Sequence, residues 1–303
     1  MMRSASLPWH RRLGDRVMTA LAGAAVLIAM APLVSVLVYV GLQGASALDW
    51  GFFTRLPAPV GDPNGGMANA IAGTFVLIAL ASCVGLPVGI LGGLFLSELG
   101  DGPLGWWLRF TTDVLNGVPS IVIGVFVYAL VVVHMKHFSA LAGGLALGLM
   151  MVPLVMRTTE ELVRLVPASL REASLALGIP WWTTTLRVVL RAATAGVITG
   201  VMLAVARIAG ETAPLLFTAF NNQFWARSLN QPISSLTVQL YNYAIAPYDT
   251  WHRQAWAAAL VLMTITLLLN IFARVFGRQR YGRGGRRLWA SRRLGAGTMG
   301  PQH

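Results

Sequence analysis

The stretch VARIAGETAPLLF, residues 205–217, sets the problem: it is apolar at both ends, yet Arg207 and Glu211 stand four residues apart inside it. The chain around it is greasy. Of 303 residues, 56% are hydrophobic and only 11% charged. A soluble domain carries about 25% charged residues, so the composition reads as an all-α integral membrane protein. The net charge is +12. In a membrane protein that charge reads as cytoplasmic arginines, and nucleic acid is not an expected partner. The one cysteine, Cys83, excludes an intrachain disulfide and reads as a packing residue.

Working outward from 205–217, six runs have the length needed to cross a bilayer, since about 20 apolar residues span about 30 Å. They are 17–42, 69–96, 114–134, 139–163, 192–218 and 254–276. The first follows a basic start that resembles a signal peptide. It is too long for a signal-peptide core of roughly 7–15 residues and is expected to be retained. The third is the weakest, because Pro119 favours a break and Asp113 and Asn116 suggest an interfacial start. The expected organisation is a basic N-terminus over 1–16, a spanning unit over 17–276 and a flexible basic tail over 277–303. Seven arginines between 278 and 293 give that tail an affinity for anionic lipid head groups. Segment 43–68 reads as an irregular surface loop, and 219–252 as short interfacial structure.

Cation counts orient the chain. With the N-terminus in the cytoplasm, 18 of the 23 Lys and Arg residues fall on the cytoplasmic side. Only Arg55, Lys136, Arg227 and Arg253 fall outside, and Arg207 is left within a span. This asymmetry predicts a multi-pass protein with both termini cytoplasmic.

The longest inner connection is RLVPASLREASLALGIPWWTTTLRVVLRAA, residues 164–193. Pro167 suits a helix start, Gly178 a helix end and Pro180 a second start. Leu170, Ala173, Ser174 and Leu177 share one face of the short helix. Such a face suits a partner's groove or close packing on the protein's own bundle, and the pattern leaves both open.

Here the chain resembles a known family. Glu172-Ala173-Ser174, Gly178 and Val188-Val189-Leu190 follow the loop signature of permeases from ATP-binding-cassette (ABC) importers. Ser174 stands for alanine, Val188 for isoleucine and Arg191 for proline. The segments GGMANAIAGTFVL (65–77), LNGVPSIVIGVFVYALVV (115–132), MRTTEELVRLVP (156–167) and VARIAGETAPLLFTA (205–219) resemble the phosphate-importer permeases of the PstA type, in order over about 65–275. The resemblance implies the type I importer fold, with six transmembrane helices and a cytoplasmic coupling helix carrying Glu172, Ala173, Ser174 and Gly178. It implies a bacterial inner-membrane location and three kinds of partner: a homologous permease (PstC type), a dimer of ABC ATPases (PstB type) and a periplasmic phosphate-binding protein (PstS type). The substrate would be inorganic phosphate. Sulfate or phosphonate permeases are the nearest rivals within the family. An ion-coupled secondary transporter or a membrane scaffold are rivals outside it, and neither calls for an ATPase-docking loop.

The residues agree with that division of labour. The chain has one lysine, Lys136, and no Gly-Lys-Ser/Thr loop to grip nucleotide phosphates and magnesium. It is expected to bind no cofactor and to be no enzyme by itself, with ATP and magnesium used by the partner ATPase. His134 and His137 lack an acidic or thiol companion nearby and read as an ordinary outer loop. Glu160 and Glu161 lie within reach of Arg157 and Arg164 and read as helix-end ion pairs.

On a continuous helix at 100° per residue, Gly196, Gly200, Ala204, Arg207 and Glu211 fall within about 80°. The first three form a small-residue stripe for helix packing. Arg207 would lie about 22 Å along the span from Ala192. A charge that deep costs about 2.5–3.5 kcal/mol and normally faces a cavity or a partner. Two readings follow: Arg207 lines an anion path with Glu211 orienting it, or the two form a purely structural bridge. A guanidinium can bind phosphate in bidentate fashion, which favours the first.

Overall fold

The computed structural model describes residues 9–62 and 64–295, with the side chains of Arg12 and of 276–295 left aside. The described residues contain helices and connecting turns and no strand. In chain order, α1 is Trp9–Ala45, α2 Trp50–Thr54, α3 Ala68–Leu99, α4 Pro103–Gly117 and α5 Ser120–Met135. They are followed by α6 Ala140–Arg164, α7 Ala168–Ala176, α8 Trp181–Ala209, α9 Ala213–Thr218, α10 Leu236–Ala244 and α11 Asp249–Gly295. Five of these, α1, α3, α6, α8 and α11, are long and apolar enough to cross a membrane. A sixth candidate is the bent pair α4 and α5, which meet at 103° across a short break.

The core is built on α3 and α6. Their glycines let the backbones close together. A Cβ on Gly85 would stand 2.7 Å from Met151, and one on Gly89 would stand 2.7 Å from Val155. Such approach replaces the hydrophobic force that lipid cannot supply between helices. Leu77, Ala81, Leu147, Met151 and Val155 are buried in this seam, joined by Ala204 and Ile208 of α8 and Leu215 of α9. A second cluster at the opposite end of α3 gathers Phe52, Met67, Leu236, Tyr243 and Ala257 around α2, α10 and α11. α1 stands apart, exposed over most of its length. It meets α11 near its end, where Tyr39 packs edge-on to Trp256 at 5.1 Å. An apolar helix with no protein cover suits a lipid-facing position.

Several boundaries depart from the sequence expectation. The third span does not start at 114. Pro119 lacks an N–H and favours extended backbone at the residue before it, so α4 ends at Gly117 and Val118 is extended (φ −70°, ψ 130°). The fifth span does not run from 192 to 218. α8 starts at Trp181, continues through a π-helical turn at Thr184–Val189 and passes unbroken through Arg191. It stops at Ala209, with Gly210 as its cap. The helix expected to end near 276 continues through Gly295, and no proline interrupts 277–295. Residues 1–8 of the basic start and 296–303 of the expected flexible tail lie outside the described residues.

Candidate functional site

Two regions hold the residues singled out in the sequence. The first is the connection between α6 and α8. Pro167 caps the start of α7 without needing the donor it lacks. At the other end Gly178 takes φ +77°, the left-handed region that a residue with a Cβ enters only under strain. Its N–H donates to the Leu175 carbonyl, and the Ile179 N–H donates to the Ser174 carbonyl. Glu172, Ala173 and Gly178 are exposed, as are Leu170 and Leu177. Ser174 is buried: its hydroxyl lies 2.8 Å from that of Thr184 in the π-helical turn of α8. The expected four-residue face is thus divided. Ser174 holds α7 to its own bundle, while Leu170, Ala173 and Leu177 look outward.

Arginines anchor this end of the bundle through contacts that helical spacing does not reveal. Arg171 of α7 donates to Glu98 of α3 at 2.8 Å and to the carbonyls of Val166 and Val163. Arg109 of α4 donates to Glu160 of α6 at 2.6 Å and to the carbonyls of Gly100 and Leu96 at the end of α3. Glu160 is almost fully buried and also meets Arg164 at 3.0 Å. Arg157 pairs with Glu161 at 2.9 Å. The local pairs on α6 were visible in the sequence; Arg109–Glu160 and Arg171–Glu98 were not. Replacing Glu98 with Gln removes the charge that the part-buried Arg171 guanidinium faces and leaves its bonds to the Val166 and Val163 carbonyls, a loss of about 1–3 kcal/mol. The purified protein should melt at a lower temperature. Unchanged melting would show that this tether carries no load.

The second region is the end of α8. Gly196 and Gly200 sit against Leu162 and Thr158 of α6, with a Cβ on Gly196 reaching to 2.9 Å of Leu162. Ala204 is buried in the core. Arg207 lies in the last turn of α8, exposed, lining a narrow cleft of about 20 Å³ with Leu115, Asn116, Val118, Ile123, Met150 and Leu154. That volume is about what one water needs. Among the described residues no ion pair joins Arg207 to any carboxylate.

Glu211 is not where the helical wheel put it. Gly210 ends α8, and its N–H turns back to the Arg207 and Ile208 carbonyls. Pro214 cannot offer the N–H that would continue the ladder to Gly210. Glu211 therefore leaves the stripe. Its N–H donates to the Ile208 carbonyl, and its own carbonyl accepts from the Thr237 hydroxyl of α10 at 3.0 Å. The expected kink is a break in the helix, and the expected i, i+4 pair does not form within this chain.

The elements that follow these breaks, α5 and α9, pack together. A Cβ on Gly124 of α5 would lie 2.6 Å from the Cα of Pro214 at the start of α9. Non-helical backbone at membrane depth is tolerated where protein or a cavity covers it. The Arg207 cleft borders that junction.

Comparison with known proteins places this arrangement. The family described as "Binding-protein-dependent transport system inner membrane component" matches residues 85–280. The phosphate transport system permease protein PstA of Yersinia pestis is 44% identical over 276 residues, covering 89% of this chain and 92% of its own. PstA of Haemophilus influenzae is 42% identical, covering 88% and 95%, and that of Xylella fastidiosa strain Temecula1 is 47% identical, covering 77% and 81%. Among solved structures, a bacterial alginate ABC transporter in complex with a pentasaccharide-bound periplasmic protein aligns with a TM-score of 0.65 at 12% identity, covering 90% of this chain and 98% of its own. The inward-facing MetNI methionine ABC transporter aligns at 0.55 and 20% identity, covering 71% and 94%. These structural likenesses carry the fold, and the sequence likenesses carry the kinship: the chain belongs to the binding-protein-dependent transport system inner membrane components and, within them, to the PstA permeases.

Proposed function

We propose that this chain is the membrane-spanning permease subunit of an ATP-driven importer of inorganic phosphate. The observation that carries the reading is the 44% identity to a phosphate permease across nearly the whole of both chains. The site chemistry supports it. Arg207 is a cation within the spanning bundle, without a carboxylate partner among the described residues. An oxyanion is the ligand that a planar guanidinium fork suits. The cleft beside Arg207 is too small for phosphate, so a homologous permease of the PstC type completes the path.

The energy comes from elsewhere. With one lysine and no phosphate-gripping loop, the chain has no site for ATP hydrolysis and takes no cofactor of its own. A PstB-type ATPase dimer, using ATP and magnesium, docks on the outward Glu172 and Ala173 of α7 and on Gly178 just beyond its end. A PstS-type binding protein delivers phosphate from the periplasm, and the 18 inward cations hold both termini in the cytoplasm.

The test is reconstitution of the chain with candidate ATPase and permease partners in liposomes, followed by addition of substrate-loaded binding protein. Phosphate-loaded binding protein should stimulate ATP hydrolysis and drive phosphate inward. Stimulation by sulfate or phosphonate alone, or uptake driven by an ion gradient without ATP, would replace this reading. Reporters fused at either terminus should read as cytoplasmic, and a periplasmic C-terminus would sink the six-span topology.

A further inference from the structure

Asn116 stands at one edge of the Arg207 cleft. It is the penultimate residue of α4, at the broken end where α4 turns by 103° into α5. Its side chain is exposed and makes no hydrogen bond with the described residues. It lines the cleft that Arg207 lines, and the other six lining residues there are Leu, Val, Ile and Met. Leu115, Val118 and Ile123 continue from this cleft into a neighbouring apolar cavity of about 260 Å³, reaching Val122, Phe126 and Leu149. Two polar side chains without partners among the described residues thus share one cleft with apolar walls, between α4, α5, α6 and α8.

That pairing has a physical consequence. Both side chains are exposed in this chain, so their polar atoms stay open to whatever enters the cleft. Asn116 and Arg207 come from different elements, and neither has a satisfying partner on its own helix. Ligand sites are commonly apolar pockets with a few converging polar groups. Interrupted helices at membrane depth are tolerated where they line such a cavity. The carboxamide adds what a guanidinium lacks, because it carries an acceptor oxygen as well as two donor hydrogens. A phosphate ion near neutral pH retains at least one P–O–H, so it can accept from the Asn116 amide and donate to it, while its charge rests on Arg207.

We infer that Asn116 is a second polar contact of the anion path, binding the phosphate that Arg207 attracts. The inference rests on the proposal that Arg207 lines that path. α4 therefore does more than brace the bundle through Arg109: its far end presents a substrate-binding side chain. Asn116 acts with the guanidinium, and the partner permease closes the other side.

The experiment uses the complete importer in liposomes, with inorganic phosphate as the probe. Asn116→Leu, which keeps the number and branching of heavy atoms and removes both hydrogen-bonding functions, should assemble and hydrolyse ATP when phosphate-loaded binding protein is added. Phosphate uptake should fall about tenfold or more, as expected for loss of a hydrogen bond to a charged group. Asn116→Gln should keep a measurable share of uptake. Arg207→Gln is run beside them. Wild-type uptake in Asn116→Leu, with Arg207→Gln inactive, overturns the role of Asn116 and leaves that of Arg207 standing. Wild-type uptake in Arg207→Gln overturns the path itself and this inference with it. A second measurement holds even if the Leu variant assembles poorly. In a Cys83→Ser background, an Asn116→Cys side chain in the assembled complex should react with a small anionic thiol reagent, and excess phosphate should slow that reaction. A thiol that reacts only with membrane-soluble reagents faces lipid or protein, and the inference falls.

Discussion

Arg207→Gln should abolish phosphate uptake while the complex still assembles and its ATPase still docks. The glutamine keeps much of the side chain's length and some hydrogen bonding but removes the charge that draws an anion into an apolar cleft. Four other arginines, Arg109, Arg157, Arg164 and Arg171, pair with carboxylates. Arg207 has no such partner among the described residues, so its removal strands no carboxylate in this chain. Arg207→Lys should lose much of the activity as well, because a point charge lacks the planar fork. The double change Arg207→Gln with Glu211→Gln separates the two roles. A structural bridge predicts that the double variant regains assembly and transport. With Glu211 beyond the end of α8 and held through its backbone by Ile208 and Thr237, the double variant is expected to stay inactive. Uptake restored in it would refute the path assignment.

The second large effect is expected at Gly178. Its φ of +77° lies in the left-handed region, and a Cβ there would meet nothing within 4 Å. The obstacle to substitution within this chain is therefore backbone strain, about 1–2 kcal/mol for most residues, and not crowding. Gly178 is also exposed beside the outward residues of α7, so bulk added there projects toward whatever α7 meets. Gly178→Trp combines both penalties and should leave the ATPase poorly docked or uncoupled, with uptake reduced to near background. Gly178→Asn, whose side chain tolerates this region, should keep substantial uptake. A Gly178→Trp complex that couples hydrolysis to uptake normally would remove α7 from the docking surface.

Which parts of this molecule were legible in the sequence follows from the reach of each signal. Composition alone placed the chain in a membrane. Runs of apolar residues located four spans within several residues at their described ends: 17–42 lies inside Trp9–Ala45, 69–96 inside Ala68–Leu99, 139–163 beside Ala140–Arg164, and 254 falls close to Asp249. These signals are local, because a spanning helix satisfies its own backbone and needs only length and apolarity. Pro167, Gly178 and Pro180 were equally local, and they bracket α7 as read.

The breaks were half legible. Pro119 and Pro214 announced weak points, but a missing N–H does not say whether a helix bends or stops. Neighbouring elements decided that: α5 and α9 pack at the junction, Thr237 takes the Glu211 carbonyl, and the stripe through Arg207 ends before Glu211. The long-range anchors were not legible at all. Arg109 meets Glu160 across 51 residues and Arg171 meets Glu98 across 73. Helical periodicity reports only neighbours three or four residues apart. Which carboxylate a distant arginine reaches, and whether Asn116 and Arg207 share a cleft, depends on which helices lie side by side, and that is settled by glycine-mediated packing of α3 on α6 and of α5 on α9.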